Sequence, residues 1–259
     1  MAAVWYTKNG IIRESDLLTV KYMARIFGNE SGHVRRMKFG FRVRMLVLFA
    51  IFSVALYAFA KDSSSLFSSD PLTVGVSIIV FLGVAKIISF LFKRQDRGLH
   101  KAGRGLKGEA EVAEALEALP ESYRVYRGVK LRKGGDIDFV VAGPNGVCTV
   151  EVKSHRGRVD FNGRELTLNG TPFRDKNVLH QAFGEAMNLH HYLRERMQKD
   201  IFVTPLIVFS DAEAFLHFGM NPVYNVYVIQ KDLLRECITG LRESVFSLEE
   251  IHALLLPCV

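Results

Sequence analysis

The chain has 259 residues, of which 49% are hydrophobic, and carries a formal net charge of +7. This length allows one ordinary domain with an appendage. Residues 1–92 hold 11 Lys or Arg against 5 Asp or Glu, whereas residues 93–259 hold 23 against 22. The excess positive charge therefore belongs to the apolar N-terminal region, which points to a membrane more than to nucleic acid. The three cysteines are odd in number and widely spaced, which excludes a disulfide framework and fits a reducing compartment.

Two long apolar runs predict transmembrane helices. The first covers about residues 43–60 and contains one charged residue, Arg44, near its start. The second covers about residues 72–92 and contains only Lys86, whose side chain can reach the interface. A membrane helix needs about 20 mainly apolar residues. The alternative to two spans is a buried helical hairpin in a soluble core.

Flanking charges predict the orientation of these spans. Basic segments precede the first span and follow the second, whereas the link at residues 61–70 has one Lys and two Asp. The positive-inside rule then places both termini in the cytoplasm, with the protein in the inner (cytoplasmic) membrane and the lipid bilayer as a partner. The sequence "AFAK" at 58–61 resembles a signal cleavage site. A second span that follows it argues against cleavage.

The chain therefore divides into four predicted parts. Residues 1–42 form an N-terminal cytoplasmic segment, and residues 43–92 hold the two transmembrane helices. Residues 93–104 are a basic linker, and residues 105–259 are a soluble domain. Within the first part, residues 15–27 are either a short amphipathic helix near the membrane surface or a solvated segment.

The soluble domain has the pattern of a mixed α/β protein. A helix is expected over residues 105–119, followed by three strands, of which the last two are joined by a Pro-Asn-Gly turn. Two further Asn-Gly turns predict an excursion of short strands. A long helix over residues 175–198 precedes two strands and C-terminal helices, the last opened by a capping box from Ser247 to Glu250. This order predicts a mixed α/β sandwich.

Glu109 is the first candidate site residue. It lies on the same face of the first predicted helix as Val112, Ala113 and Leu116, whereas the other acidic residues of this helix point away. Glu109 is therefore expected to point toward the core. A carboxylate in the first turn is also favoured by the helix dipole, so a structural role is the alternative.

Charged residues also interrupt the second and third strands. Asp136 and Asp138 share one face of the second strand, and Glu151 and Lys153 share one face of the third. Burial of such charges is costly unless they are paired or bind a metal. Asp138 and Glu151, on adjacent strands, could share one Mg²⁺ or Mn²⁺, and Lys153 could orient or deprotonate an attacking water. The alternative is a structural Glu–Lys ion pair on an exposed sheet face.

Three segments together resemble the nuclease-related domain, NERD, of the restriction-endonuclease-like superfamily. They are "KGEAEVAEALEAL", "GGDIDFVVAGPNGVCTVEVKSHRGRV" and "NVLHQAFGEAMNLHHYL", within about residues 103–230. The resemblance implies an α/β fold, a restriction-endonuclease-like mixed-sheet sandwich, here preceded by an α-helical transmembrane hairpin. It also implies a magnesium-dependent hydrolase with an Asp…Glu-x-Lys active site.

By this resemblance, five residues of this sequence correspond to catalytic residues of the family. Glu109 matches the helical Glu that follows a Gly, and Asp138 matches the strand Asp that binds metal. Glu151 and Lys153 match the Glu-x-Lys pair, and Gln181 matches a helical Gln that supports the site. The implied metal ligands are Asp138, Glu151 and Glu109. Taken without the resemblance, Gln181 fits an ordinary half-exposed glutamine equally well.

Basic residues near these positions favour a polyanionic substrate. The candidates for phosphate contact are Lys107, Lys133, His155 and Arg156, which would bind phosphates without reading base sequence. No helix-turn-helix or finger motif supplies base recognition. A solvated turn, or anionic lipid headgroups near the membrane, would explain part of the same pattern.

These patterns predict a membrane-tethered, Mg²⁺-dependent nuclease that hydrolyses DNA on the cytoplasmic side, with RNA as an open alternative substrate. A role in defence or DNA processing is an expectation from the resemblance. Two other functions stay open. One is a non-catalytic nucleic-acid-binding module, and the other is a membrane scaffold for a protein partner. Oligomeric state is also open, including a homo-oligomer.

Overall fold

The structure is a computed structural model with two compact units, one of residues 1–30 and 105–259 and one of residues 31–104. It describes residues 5–7, 10–12, 23–28, scattered helical positions between 43 and 90, and residues 102–132, 135–173, 177–211, 214–216, 218–243 and 245–259.

A six-stranded mixed sheet forms the centre of the larger unit. In spatial order its strands are β12 (Tyr227–Gln230), β10 (Val203–Phe209), β6 (Gly146–Lys153), β5 (Asp136–Gly143), β4 (Arg124–Lys130) and β3 (Arg25–Phe27). Most residues of β10, β6 and β5 are buried. Strand β5 is antiparallel to β4 and β6, whereas β10 is parallel to β6 and β12, and β3 is parallel to β4.

Two smaller sheets accompany the central one. Trp5–Thr7 and Gly10–Ile12 pair as the antiparallel strands β1 and β2. The other small sheet has the order β11-β7-β8-β9 and includes the excursion of short strands that the Asn-Gly turns predict. Its strands are β7 (Gly157–Phe161), β8 (Leu166–Leu168), β9 (Thr171–Pro172) and β11 (Ala214–Leu216).

Helices cover both faces of the central sheet. Helix α1, residues 102–117, packs with α3 (Leu234–Thr239) on one face, and α2 (Val178–Met197) packs with α4 (Leu248–Leu255) on the other. Successive side chains of a strand point to opposite faces. Accordingly, Phe139, Val141 and Val150 contact the α1 layer, whereas Val140, Ala142 and Val147 contact the α2 layer.

Local sequence signals explain where the helices begin. Asn177 caps α2, because its side chain accepts a hydrogen bond of 3.2 Å from His180 N. Ser247 caps α4 in the same way, with 3.2 Å to Glu250 N, as the predicted capping box requires. The mixed sheets and their helices fit a nuclease-like fold, so the predicted fold class is confirmed at this level.

The chain before the predicted membrane segment joins the central sheet. Strand β3 pairs in parallel with β4, and Ala24 N donates to Leu119 O at 2.9 Å. The Phe27 ring stacks on Tyr126 with centroids 5.6 Å apart. The last three residues of the segment at 15–27 are thus a strand and not the end of an amphipathic helix. They satisfy the backbone groups of an otherwise open β4 edge.

Among the residues that the structure describes, no helix is both long and apolar enough to cross a membrane. The predicted spans at about 43–60 and 72–92 lie mostly outside these residues. The helical positions that are described there include eight large apolar side chains at least 44% exposed. They are Val43, Leu46, Val47, Phe49, Tyr57, Ile79, Leu82 and Phe90.

Replacement of Gly28 by Ala is expected to weaken the attachment of β3. Gly28 has a φ of +104°, and an added Cβ would lie 2.4 Å from Arg127 O. Such a backbone costs other residues about 1–3 kcal/mol, so the thermal unfolding midpoint of the full chain should fall. Gly105→Ala is the matched control, since it meets nothing within 4 Å among the described atoms and should not lower the midpoint. Equal midpoints for both variants would contradict this role of β3.

Candidate active site

Strands β5 and β6 place two carboxylates opposite each other. Their register pairs Phe139 with Val150, so the next residues along the antiparallel pair are Asp138 and Glu151, and the charge of Glu151 acts on Asp138. Directly opposite side chains have Cβ atoms about 5 Å apart. Asp138 Oδ2 also accepts a hydrogen bond of 2.8 Å from Val152 N, which orients its carboxyl group. Both carboxylates lie on the face that α2 covers.

Lys153 lies on the same face of β6, two residues beyond Glu151. Its Nζ donates to Glu151 Oε1 at 2.6 Å, and the two side chains are only 15% and 8% exposed. The backbone at Lys153 is fixed by the neighbouring strand β10. Ser210, the residue that directly follows β10, donates its N–H to Lys153 O at 3.1 Å. The pair is therefore a buried ion pair, and the alternative of an ion pair on an exposed sheet face is wrong.

Gln181 completes the contacts of Glu151 from the opposite helix. It lies in the first turn of α2, where the Asn177 cap sets the start of the helix. Its Nε2 donates to Glu151 Oε1 at 2.9 Å and to Glu185 Oε1 at 3.0 Å. The structure thus brings together four of the five predicted catalytic residues, namely Asp138, Glu151, Lys153 and Gln181.

Glu185 belongs to this cluster but is not among the residues predicted from the sequence. It is 7% exposed, and its Oε2 has no hydrogen-bond partner among the described residues. A signal for it exists, because Glu185 lies on the apolar face of α2 with Ala182, Ala186 and Leu189. The criterion that singles out Glu109 on α1 would have singled out Glu185 as well.

Burial and the proximity of other carboxyls raise the pKa of two acidic groups in the cluster. The pKa of Asp138 is raised to about 7, mainly by burial and next by the charge of Glu151. The hydrogen bond from the N–H of Val152 opposes this shift. Burial, followed again by the charge of Glu151, raises the pKa of Glu185 to about 8. A bound cation would relieve both effects, because an opposite charge favours the ionised carboxylate.

Glu109 reaches the neighbourhood of the cluster from the other face of the sheet. The preceding Gly108 allows this approach, since a Cβ there would lie 2.4 Å from Ser210 Oγ and 3.1 Å from Ser154 Cβ. The charge of Glu109 contributes to the raised pKa of Asp138. Its Oε2, however, lies 3.4 Å from the guanidinium Nη2 of Arg127. The role of Glu109 as a metal ligand stays a prediction.

The oxygen donors of the cluster suit a divalent cation that keeps part of its water shell. Within the described part of the chain, no group of three or more His, Cys, Asp or Glu is arranged to hold a metal ion. Mg²⁺ does not require such a cage, since it keeps several waters and binds through one or two carboxylates. The facing carboxylates of Asp138 and Glu151 supply oxygen donors of this kind, so they fit Mg²⁺ chemically.

Two of the predicted phosphate-binding residues have ion-pair partners. Lys107 is 78% exposed and lies 3.6 Å from Glu111. Arg156 is 56% exposed, and its Nε donates to Asp211 Oδ2 at 2.8 Å. Both side chains are accessible to a substrate, but each would exchange an existing partner for phosphate.

The other two predicted phosphate-binding residues are His155 and Lys133, of which only His155 is described by the structure. The His155 ring contacts Phe173 edge to face, with centroids 5.1 Å apart. Lys133 lies outside the described residues. Asp136, the second acidic residue of β5, is 69% exposed and 3.5 Å from Lys130, so it is separate from the buried cluster.

Comparison with known proteins agrees with the resemblance in the sequence. The family model of the nuclease-related domain, NERD, matches residues 104–210. This segment contains all five predicted catalytic residues and Glu185. No curated protein and no solved structure matches the chain. The detected domain suggests a nuclease-related function.

Without divalent cations, stability is expected to fall as the pH rises. The pKa of Asp138 is raised from 3.8 to about 7 in the folded state. Its stabilising effect is therefore present below 3.8 and is lost as the pH rises through about 7. Asp138→Asn removes this titration and should raise the unfolding midpoint at about pH 8 in EDTA, because position 138 then buries no charge. Asp136→Asn, at an exposed position, should keep the wild-type pH profile. A wild-type profile for Asp138→Asn would contradict the assignment.

Proposed function

We propose that this chain is a membrane-tethered, metal-dependent nuclease that hydrolyses phosphodiester bonds of DNA on the cytoplasmic side. The observation that carries the proposal is the buried contact chain of Lys153, Glu151 and Gln181 beside Asp138. A carboxylate pair can hold a metal ion, and an adjacent ammonium group can orient the water that attacks a phosphodiester. The match of the nuclease-related domain to the same segment supports this interpretation.

The residues of the site have distinct roles in this proposal. Asp138 and Glu151 would hold Mg²⁺ or Mn²⁺, which supplies a Lewis acid for the phosphoryl oxygens when bound. Val152 N holds the Asp138 carboxyl in place, and Gln181 restrains Glu151 from the helix side. Lys153 places a positive charge where the attacking water is to be oriented and where negative charge develops on the phosphate.

DNA is the proposed substrate because exposed basic side chains lie close in sequence to the site residues and no motif for base recognition is present. Lys107 is two residues before Glu109, and Arg156 is three residues after Lys153. Such contacts bind the sugar-phosphate backbone independently of sequence. RNA is the alternative polyanion, and a role in defence or DNA processing is part of the proposal that rests on the family alone.

The purified full chain is expected to cleave DNA only when Mg²⁺ or Mn²⁺ is present. Glu151→Gln and Lys153→Met should each reduce the cleavage rate by about 10²–10³-fold, since each removes a charge that acts on the transition state. Lys199→Met is the matched control, because Lys199 pairs with Glu250 at an exposed position elsewhere. The readout is the initial rate of strand cleavage at fixed metal concentration.

Other outcomes would identify a different function. Cleavage that is equal in Lys153→Met and wild type would contradict the assigned site. Salt-sensitive DNA binding without turnover under any divalent cation would favour a binding module. Absence of DNA binding at low salt, together with a co-purifying subunit, would favour a membrane scaffold.

The membrane part of the proposal rests on topology and on exposed apolar side chains. Residues 1–30, which include β3, and residues 105–259 belong to one compact unit. Because a folded unit lies on one side of a bilayer, any crossings made by the chain between these two parts are even in number. Two apolar runs with basic outer flanks fit two crossings. The eight exposed apolar side chains between residues 43 and 90 fit contact with lipid.

Single-cysteine labelling in intact cells measures this topology. In a Cys258→Ser background, a membrane-impermeant maleimide should label Ser65→Cys in the predicted outer loop but not Ser31→Cys before the first span. The native Cys148 and Cys237 are buried and should react slowly. Labelling at position 31 would contradict the orientation, and release of the protein by a carbonate wash would contradict the membrane anchor.

A further inference from the structure

Glu185 has no role in the proposed mechanism, yet it is one of the most buried acidic side chains described. We infer that Glu185 is a positioning residue that holds the side-chain amide of Gln181 so that it always presents N–H groups to Glu151. The inference deepens the proposed function and rests on it where catalysis is concerned. It is carried by hydrogen-bond geometry and by burial.

The first observation is the position of one amide between two carboxylates. Gln181 Nε2 lies 2.9 Å from Glu151 Oε1 and 3.0 Å from Glu185 Oε1. An amide nitrogen has two N–H donors, so it can serve both acceptors at once. If the amide flipped, its oxygen would face the Glu151 carboxylate and would lose both of these hydrogen bonds. By accepting the second N–H, Glu185 favours the orientation in which the nitrogen of Gln181 faces Glu151.

The second observation is that burial of the Glu185 carboxyl is unfavourable for the free energy of folding. The residue is 7% exposed, and Oε2 has no hydrogen-bond partner among the described residues. A buried polar atom without a partner costs about 1–3 kcal/mol. The neighbours of Glu185 on this face of α2 include Ala182, Ala186 and Leu189, so an apolar residue would suit the packing. Local rules of this kind are most often broken at functional sites.

The consequence is a Glu151 carboxylate that is held from two sides. Lys153 Nζ contacts Oε1 from the same strand, and Gln181 Nε2 contacts the same oxygen from α2. Both donors use Oε1, so the other oxygen, Oε2, lies outside these two hydrogen bonds. A fixed orientation of this second oxygen matters for any cation or substrate that it contacts, because residues behind metal ligands set their direction.

Variants of Glu185 separate positioning from a merely structural role. Glu185→Leu removes the acceptor and the unsatisfied carboxyl, so the unfolding midpoint of the full chain should stay the same or rise. Its cleavage rate should fall by about 10–100-fold, and the Mg²⁺ concentration for half-maximal rate should increase. Glu185→Gln keeps an acceptor oxygen and should recover most of the lost activity. Glu195→Leu, at an exposed position of the same helix, is the control and should leave the rate unchanged.

The outcomes of these measurements decide the inference. A rate for Glu185→Leu close to that of wild type would overturn it, as would Glu185→Gln being as impaired as Glu185→Leu. A lower unfolding midpoint in proportion to the lost rate would show a structural role instead. Opposite directions of stability and activity support positioning, since a purely structural residue would lower both.

A spectroscopic measurement decides the inference even if the wild type cleaves nothing. In the full chain labelled with ¹⁵N-glutamine, the Gln181 side-chain amide is assigned by its loss in Gln181→Met. Its protons should exchange slowly in wild type and about tenfold faster in Glu185→Leu, where one acceptor is gone. Unchanged exchange in Glu185→Leu would overturn the inference. If the exchange is faster in Glu185→Leu but the wild type cleaves no DNA, only the proposed nuclease function is refuted.

Discussion

The site depends on the burial of the Glu151 carboxylate in the middle strand of the sheet. A buried charge costs several kcal/mol unless partners compensate it. Here the compensation comes from Lys153 on the same strand and from Gln181 on α2. Compensation of the Glu151 charge also depends on where α2 begins, because the helix must start at the Asn177 cap for Gln181 to reach the strand. The packing of the α2 layer and the chemistry of the site thus follow from one constraint.

The cluster has three carboxyl groups and one ammonium group, which separates it from an ordinary ion pair. The ammonium group of Lys153 contacts Glu151, and burial together with the charge of Glu151 raises the pKa of Asp138 and Glu185. A fold selected only for stability would have replaced at least one of these acids with an apolar residue, since unpaired buried charge is unfavourable. Retained unfavourable charge of this kind is typical of sites that bind a cation or act on a charged substrate.

Strand β3 belongs to the same compact unit as the rest of the central sheet. In the sequence, residues 31–104 lie between the two parts of this unit, residues 1–30 and 105–259. An edge strand would otherwise leave the backbone groups of β4 open to pairing with another chain. Strand β3 closes that edge and, through the Phe27 contact with Tyr126, also completes the α2 layer of the core. The N-terminal residues are therefore part of the fold of the larger unit.

Sequence alone determined the elements and residues whose signals are local. Alternation identified Asp138 on β5 and placed Glu151 and Lys153 on one face of β6, because strand geometry has a fixed period. Tertiary structure alone decided which groups meet across elements. It paired Glu109 with Arg127, joined β3 to β4, and placed Gln181 against Glu151. These contacts join distant segments or depend on what the opposing surface offers, and a periodic pattern within one element carries no information about its partner.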